Sequence, residues 1–331
     1  MMKKMMKKIA LKTILLGSIV AVSCSDSSEE QLTENYPKFD YHLVYTGYTD
    51  DIAVLNGESY FIFKSGSDDS DSGIQPSIRK VDLKGEITTL KNLDYTFFGN
   101  RMGICVNNSS VYFTTDSFDE PGSNIYRITP PNYDYTSYKV SQSARINTIE
   151  SLNDNSMVFF EYSTYSIKRY FPDIPTNVII AGSGQSTMKD GVGESAGFKY
   201  VSAIAVNKNN NDLYVVDDNK NIRKLESITP TEFKVTTLLS NNDTNITDIE
   251  IDNNGNVLVI LFRKGIYKLN EQNVLEEYLT KEIIAKKVDD NTISNINFKN
   301  FEKFKITNND IYLLSYNTLT KISNYKSELK L

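Results

Sequence analysis

The chain reads as an all-β protein, a six-bladed β-propeller of four-stranded antiparallel blades, and three observations predict it. A unit of apolar strand, polar turn and second strand recurs six times; the turn of every unit carries Asn, Asp or Gly; and aromatic residues make up 11% of the chain, with 21 Tyr and 16 Phe. A period of about 40 to 50 residues is the length of a propeller blade. Tyr and Phe suit a pleated, half-buried sheet, and Asn, Asp and Gly tolerate the positive φ that hairpin turns require.

In chain order the first element is an address. Lys3, Lys4, Lys7, Lys8 and Lys12 precede the small and apolar stretch Thr13 to Ser23, the charged and hydrophobic regions of an export signal. That stretch is too short to span a bilayer comfortably. It ends Ala21-Val22-Ser23-Cys24, which resembles the lipobox of bacterial lipoproteins, with Ala21 where Leu is usual. The resemblance implies cleavage before Cys24 and lipidation of its sulfur, with two or more acyl chains giving stable anchoring. Residues 24–38 then carry Ser25-Asp26-Ser27-Ser28-Glu29-Glu30 and few apolar side chains, a composition expected to remain a disordered tether. The acidic run reads as a solvated spacer and also resembles the export tags of surface lipoproteins in the Bacteroidetes. The expected organisation is a signal peptide at 1–23, a lipidated tether at 24–38 and a propeller at 39–331.

The first strands of the six units align on Ile52-Ala53-Val54, Ile104-Cys105-Val106, Ile149-Glu150-Ser151, Ile204-Ala205-Val206, Ile249-Glu250-Ile251 and Phe304-Lys305-Ile306, spaced by 52, 45, 55, 45 and 55 residues. Turns follow at Asn56-Gly57, Asn107-Asn108, Asn153-Asp154, Asn209 to Asn211, Asn253 to Gly255 and Asn308-Asn309. Second strands are expected around Phe61, Phe113, Phe159, Tyr214, Val259 and Leu313, and third strands over 78–81, 125–128, 167–170, 222–225, 266–269 and 319–322. Fourth strands close five units, at 87–90, 138–140, 178–181, 235–239 and 274–279. The sixth unit lacks one, and Tyr41 to Tyr45 has the right character to supply it, which would seal the sheet edges.

In the fourth unit Asp190-Gly191-Val192-Gly193-Glu194-Ser195-Ala196-Gly197-Phe198, Ile204-Ala205-Val206, Leu213 to Asp217 and Asn221-Ile222-Arg223-Lys224 resemble an NHL repeat. The sequence departs from that pattern at Val201, Ala203 and Asn207, where such repeats favour Pro, Gly and Asp. The other five units share its strand pattern, and the resemblance implies membership of the wider NHL-like and TolB-like group of six-bladed propellers.

Composition narrows the chemistry. The net charge of −6 becomes −11 once residues 1–23, with five lysines and no acid, are removed, and an acidic body is a poor nucleic-acid binder. With no Trp, a single His and two Cys, histidine-based zinc sites and triads are disfavoured. Cys105, between Ile104 and Val106, reads as an inert packed thiol. No Gly-rich phosphate loop, nucleophile elbow or Cys cluster occurs, and no catalytic residue is nominated. Ser65 to Gly73 lacks the Glu that closes an EF-hand loop and reads as a solvated loop, while Tyr133, Tyr135 and Tyr138 read as blade packing.

The longest insertions, 64–77, 115–123, 182–201 and 280–300, all join second to third strands or one blade to the next, and both loop classes open on one face of a propeller. That face is the expected binding face, because recognition residues gather on loops held by a rigid scaffold. Asp50, Asp51, Arg101, Asn147, Ser202, Asp248 and Glu302 begin the innermost strands there, and Asp51, Arg101, Asn147, Asp248 and Glu302 are the candidate binding residues. Facing carboxylates and an amide have the chemistry to hold a hard cation such as calcium. The gluconolactonase-like propellers resemble this arrangement, which implies a metal-dependent hydrolase as the alternative reading. The streptogramin-lyase and peptide-lyase propellers depend on several histidines, whereas this chain has His42 alone, on an outer strand. The leading expectation is a monomeric, lipid-anchored lipoprotein at the outer membrane or cell surface, or on its periplasmic side. It would bind an envelope or extracellular protein or glycan, with no nucleic acid and no resident cofactor.

Overall fold

The structure is a computed structural model, and it describes residues 39–44, 48–64, 77–93, 102–116, 123–140, 145–240, 243–280, 301–307, 309–315 and 318–328. The signal segment, Cys24, the tether, Arg101, the run 65–73 and the insertion 281–300 lie outside the described residues. Among the described residues no helix is long and apolar enough to cross a membrane.

Six antiparallel sheets form six blades, and in four of them the strands follow one another in chain order from the inside outward. The innermost strands are Tyr48–Leu55, Ile104–Asn107, Ile146–Ser151, Val201–Val206, Ile246–Ile251 and Phe301–Ile306. Each contacts the next, and the sixth contacts the first, so the ring closes. The hairpin turns carry the expected chemistry: φ is positive at Asn56, Gly57, Asn108, Asn211 and Gly255. In the third blade the positive φ falls later than the Asn153-Asp154 expectation, at Asn155.

Period-2 alternation makes each strand present one side chain to the blade before and the next to the blade after. The core therefore divides into six apolar clusters, one at each interface between neighbouring blades. Ile52 packs with Phe61, Tyr312 and Leu314 at the seam between blades 6 and 1, while its neighbour Ala53 packs with Ile104 and Phe113 of blade 2. Cys105 lies buried in the cluster between blades 2 and 3, and burial pushes its thiol well above the ordinary range. Gly103 is needed at the same level, because a Cβ there would stand 2.8 Å from the backbone nitrogen of Ile149 in the next blade.

The last blade is completed from the other end of the chain. Phe39–Val44 pairs antiparallel with Thr318–Ile322, with His42 opposite Thr320 and Val44 opposite Thr318. Over Tyr41 to Val44 the expected strand is thus the outermost of the sixth blade, Tyr45 lying outside the described residues, and His42 stands in it, on the outer strand as expected.

Two features depart from expectation. The outer strand of blade 2 is Asp134–Lys139 rather than 138–140. It is mostly exposed, so it carries no alternating apolar signal. Blade 4 gains a fifth strand, Gly191–Val192, paired with Val235 and Lys234. Residues of the NHL-like run build this addition. Arg223, fully buried, donates to the carbonyls of Gly197 and Lys189 and to the carboxylates of Asp217 (2.9 Å) and Asp190 (3.0 Å). Phe198 lies under its guanidinium. The candidate packing tyrosines divide: Tyr133 and Tyr138 pack against core clusters, and Tyr135 is 48% exposed but stacks on Tyr126.

Closure by the N-terminal strand is testable. A chain starting at residue 39 should melt as the full chain does, whereas one starting at residue 45 should melt at least about 5 °C lower or aggregate through the bared edge, as calorimetry and light scattering would read.

Candidate functional site

The innermost strands do not run straight onto the loop-rich face. In five blades the pairing between first and second strands slips one residue near the strand start. The slips fall between Thr49 and Ile52, Ile146 and Ile149, Val201 and Ala203, Ile246 and Asp248, and Phe301 and Lys303. A β-bulge of this kind places an extra residue and re-aims side chains, and bulges concentrate next to binding sites. The extra positions hold Asp50 and Asp51, Asn147 and Thr148, Ser202, Thr247 and Glu302. A polar crown therefore rises from the ring of innermost strands. Its members include five of the seven residues picked out at strand starts, Asp50, Asp51, Asn147, Ser202 and Glu302. Asp248 follows the bulge directly.

Their roles differ. Asp51 is buried, with one oxygen accepting from its neighbour Ile52 N (2.9 Å) and the other from Ile104 N of the next blade (3.2 Å). Asp248 does the same one seam before the closure, accepting from Phe304 N (2.9 Å) and pairing with Lys303 Nζ (3.0 Å). Asp50 accepts from Met102 N (3.1 Å). These carboxylates stitch blade to blade. Asn147 Nδ2 donates to the hydroxyl of Tyr200 (3.4 Å). Glu302 is exposed. Asp50, Thr247, Glu302 and Lys303 line a cavity of about 220 Å³, together with Asn219, Asn245, Ile246 and Phe262. Sequence reasoning found Asp50 and Glu302 of this group and missed the asparagines, which lie on short turns. Asn219 belongs to a two-residue turn with positive φ at both positions, and its carbonyl accepts from Ile246 N at 2.7 Å.

One turn of strand below the crown, the ring carries charge. Lys305 of blade 6 reaches across to Glu150 on the opposite blade 3, and pairs with Glu250 of blade 5 at 2.6 Å. These three residues occupy the same register as Ala53, Cys105 and Ala205 in the other blades. Burial pushes Glu250 up to about 8, with Lys305 only partly offsetting it, and pushes Asp51 up to about 6. Burial alone would lower Lys305, but Glu150, Glu250 and Asp51 outweigh it and hold the ammonium well above its usual range. Two carboxyl groups and one ammonium thus share the centre, and burial drives Glu250 toward its neutral form. Among the described residues no group of three or more His, Cys, Asp or Glu is placed to hold a metal ion.

Beside the crown on the same face stand three tyrosines from loops of blades 3 and 4. Tyr162 is 41% exposed, with its ring centroid 5.4 Å from Tyr165 and 6.1 Å from Tyr200. Their loops are pinned: Tyr200 N donates to buried Asp217 (2.9 Å), and the Thr164 hydroxyl donates to buried Glu161 at 2.5 Å. Tyr200 O accepts from Asp218 N (2.8 Å), the residue before Asn219, so platform and cavity adjoin.

No family model matches the chain, and no curated protein matches it. Solved structures do. A gluconolactonase from Xanthomonas campestris is similar at a TM-score of 0.59 and 12% identity, covering 89% of this chain and 93% of that one. Virginiamycin B lyase from Staphylococcus aureus is similar at 0.56 and 14%, covering 86% and 99%. A chain of a nidogen–laminin complex is similar at 0.53 and 13%, covering 70% and 80%. At these identities the likeness is one of fold, and it supports the six-bladed propeller.

Both raised acids hold their proton more tightly folded than unfolded. Their contribution to stability is whole below about pH 4 and is lost as pH rises through about 6 for Asp51 and about 8 for Glu250. Glu250→Gln should therefore flatten the fall in melting temperature between pH 5 and pH 9. Lys305→Met leaves buried carboxylates unpaired, and should cost about 3–5 kcal/mol at pH 8 and less at pH 5. Calorimetry across that range checks both, and equal melting of Lys305→Met and parent at pH 8 would refute the central clamp.

Proposed function

We propose that this chain is a lipid-anchored binding lipoprotein of the NHL-like and TolB-like propeller group, displayed at the outer membrane or cell surface. It would use the loop-rich face to hold an envelope or extracellular protein or glycan. The observation that carries the reading is the bulge crown. Five blades bend at one register on the face where the longest insertions gather, and the bulge residues of three of them, Asp50, Thr247 and Glu302, line a cavity there. The distortion recurs on the face where a partner would be met.

The alternative, a metal-dependent hydrolase at the channel mouth, asks the same ring for open carboxylates. Asp51 and Asp248 give their oxygens to backbone amides and Lys303, which leaves Asp50 and Glu302 as the acids bordering the cavity. Similar propellers include a lactonase, a lyase and a chain from a protein complex, so the fold does not choose among these activities. The binding reading asks less of the residues present.

Anchoring rests on the lipobox resemblance at Cys24. In detergent phase separation the full chain should enter the detergent phase, and Cys24→Ser should move it to the aqueous phase; a variant that still partitions with detergent would remove the anchor. For the face, crosslinking in the native envelope should capture a partner. The double change Asn245→Ala and Glu302→Ala should lower that capture at least fivefold, while Asn254→Ala, in a hairpin turn on the opposite face, should leave it unchanged. The reverse pattern would place the binding face on the other side.

A further inference from the structure

We propose that the crown cavity and the tyrosine platform beside it form one site for a neutral oligosaccharide, with the cavity enclosing a single sugar ring and the tyrosines stacking on those that follow. The inference deepens the reading of the loop-rich face as the binding face and rests on it.

Four observations point to this ligand chemistry. The cavity, about 220 Å³, lies below the size of most drug-like sites and is lined by carboxylates and amides, with Phe262 as an apolar wall. Such a lining offers donors and acceptors to a polyol and a hydrocarbon surface to the C–H face of its ring. Next, the buried hydroxyls Ser202 Oγ and Thr247 Oγ1 have no hydrogen-bond partner. They occupy the same bulge register in adjacent blades, and Thr247 lines the cavity. An unpaired buried hydroxyl is costly, and at Thr247, which lines the cavity, a small turn of the side chain toward a ligand hydroxyl would recover the bond.

The platform supplies the third observation. Tyr162 stands exposed against Tyr165 and Tyr200, and both loops are pinned through buried acids, so the rings lose little freedom on contact. A backbone chain from Tyr200 through Asp218 and Asn219 to Ile246 makes platform and cavity continuous. Charge supplies the fourth. Asp50 and Glu302 border the cavity, and its Lys303 is already paired with Asp248. That balance repels phosphate, sulfate and uronate groups and leaves neutral sugars as the matching class.

The test uses the full chain in detergent and a set of neutral hexasaccharides built from glucose, mannose, xylose, galactose or N-acetylglucosamine, read by saturation-transfer NMR and titration calorimetry. At least one should bind, and Glu302→Gln and Tyr162→Ala should each weaken it tenfold or more, while Tyr135→Ala on the outer strand of blade 2 leaves it unchanged. Both site residues are exposed, so the melting temperature should hold. Three results would overturn the proposal: no hexasaccharide binding at about 10 mM, well above millimolar affinity; binding indifferent to both variants; or preference for sulfated sugars or cationic peptides. Face-dependent capture of a protein without sugar binding would sink this inference alone and leave the binding face standing.

Discussion

A blade can hide its two faces only against other blades, and that requirement governs the molecule. Each sheet is apolar on both sides, so none is stable until it has a neighbour on each, and a row of six has two bare ends unless it bends into a ring. The six apolar clusters, one at each seam, are the product. The ring must also be locked. One lock is the strand Phe39–Val44 on the last blade. A second is the set of carboxylates that bind the amides of the following blade, Asp51 to Ile104 and Asp248 to Phe304. A third is the Lys305 ion cluster, which joins blades 3, 5 and 6 through the middle.

Much of this was legible because each device repeats. Six aligned triplets, six Asn-bearing turns and one missing outer strand are enough to count blades and to guess the closure at Tyr41 to Tyr45. What escaped had no repeat to amplify it. The outer strand of blade 2 is mostly exposed, so Asp134 to Ser137 carries no apolar beat. The fifth strand of blade 4 is two residues long and depends on Arg223 reaching Asp190, a contact across 33 positions. The central clamp did leave a trace: the middle residue of the aligned triplets reads Ala, Cys, Glu, Ala, Glu, Lys, and opposite charges at a position otherwise small and buried imply that they meet.

The candidate site was half legible for a related reason. Asp50, Asn147, Ser202 and Glu302 stood out as polar residues at strand starts, but their register slip is a property of pairing between strands. Asp51 and Asp248 looked alike in sequence to Asp50, and only the structure shows that all three stitch blades together while Asp50 also lines the cavity. Asn219 and Asn245 read as ordinary turn residues. Tyr162, Tyr165 and Tyr200 come from two blades and meet only because the ring brings those loops side by side.

The clamp at the centre has a consequence for traffic. With Lys305 bonded to acids on blades 3 and 5, a charged crossbar spans the middle of the propeller and stands in the path of any solute that would thread it. Passage between the loop-rich and turn-lined sides along the axis would require at least one of those ion pairs to part.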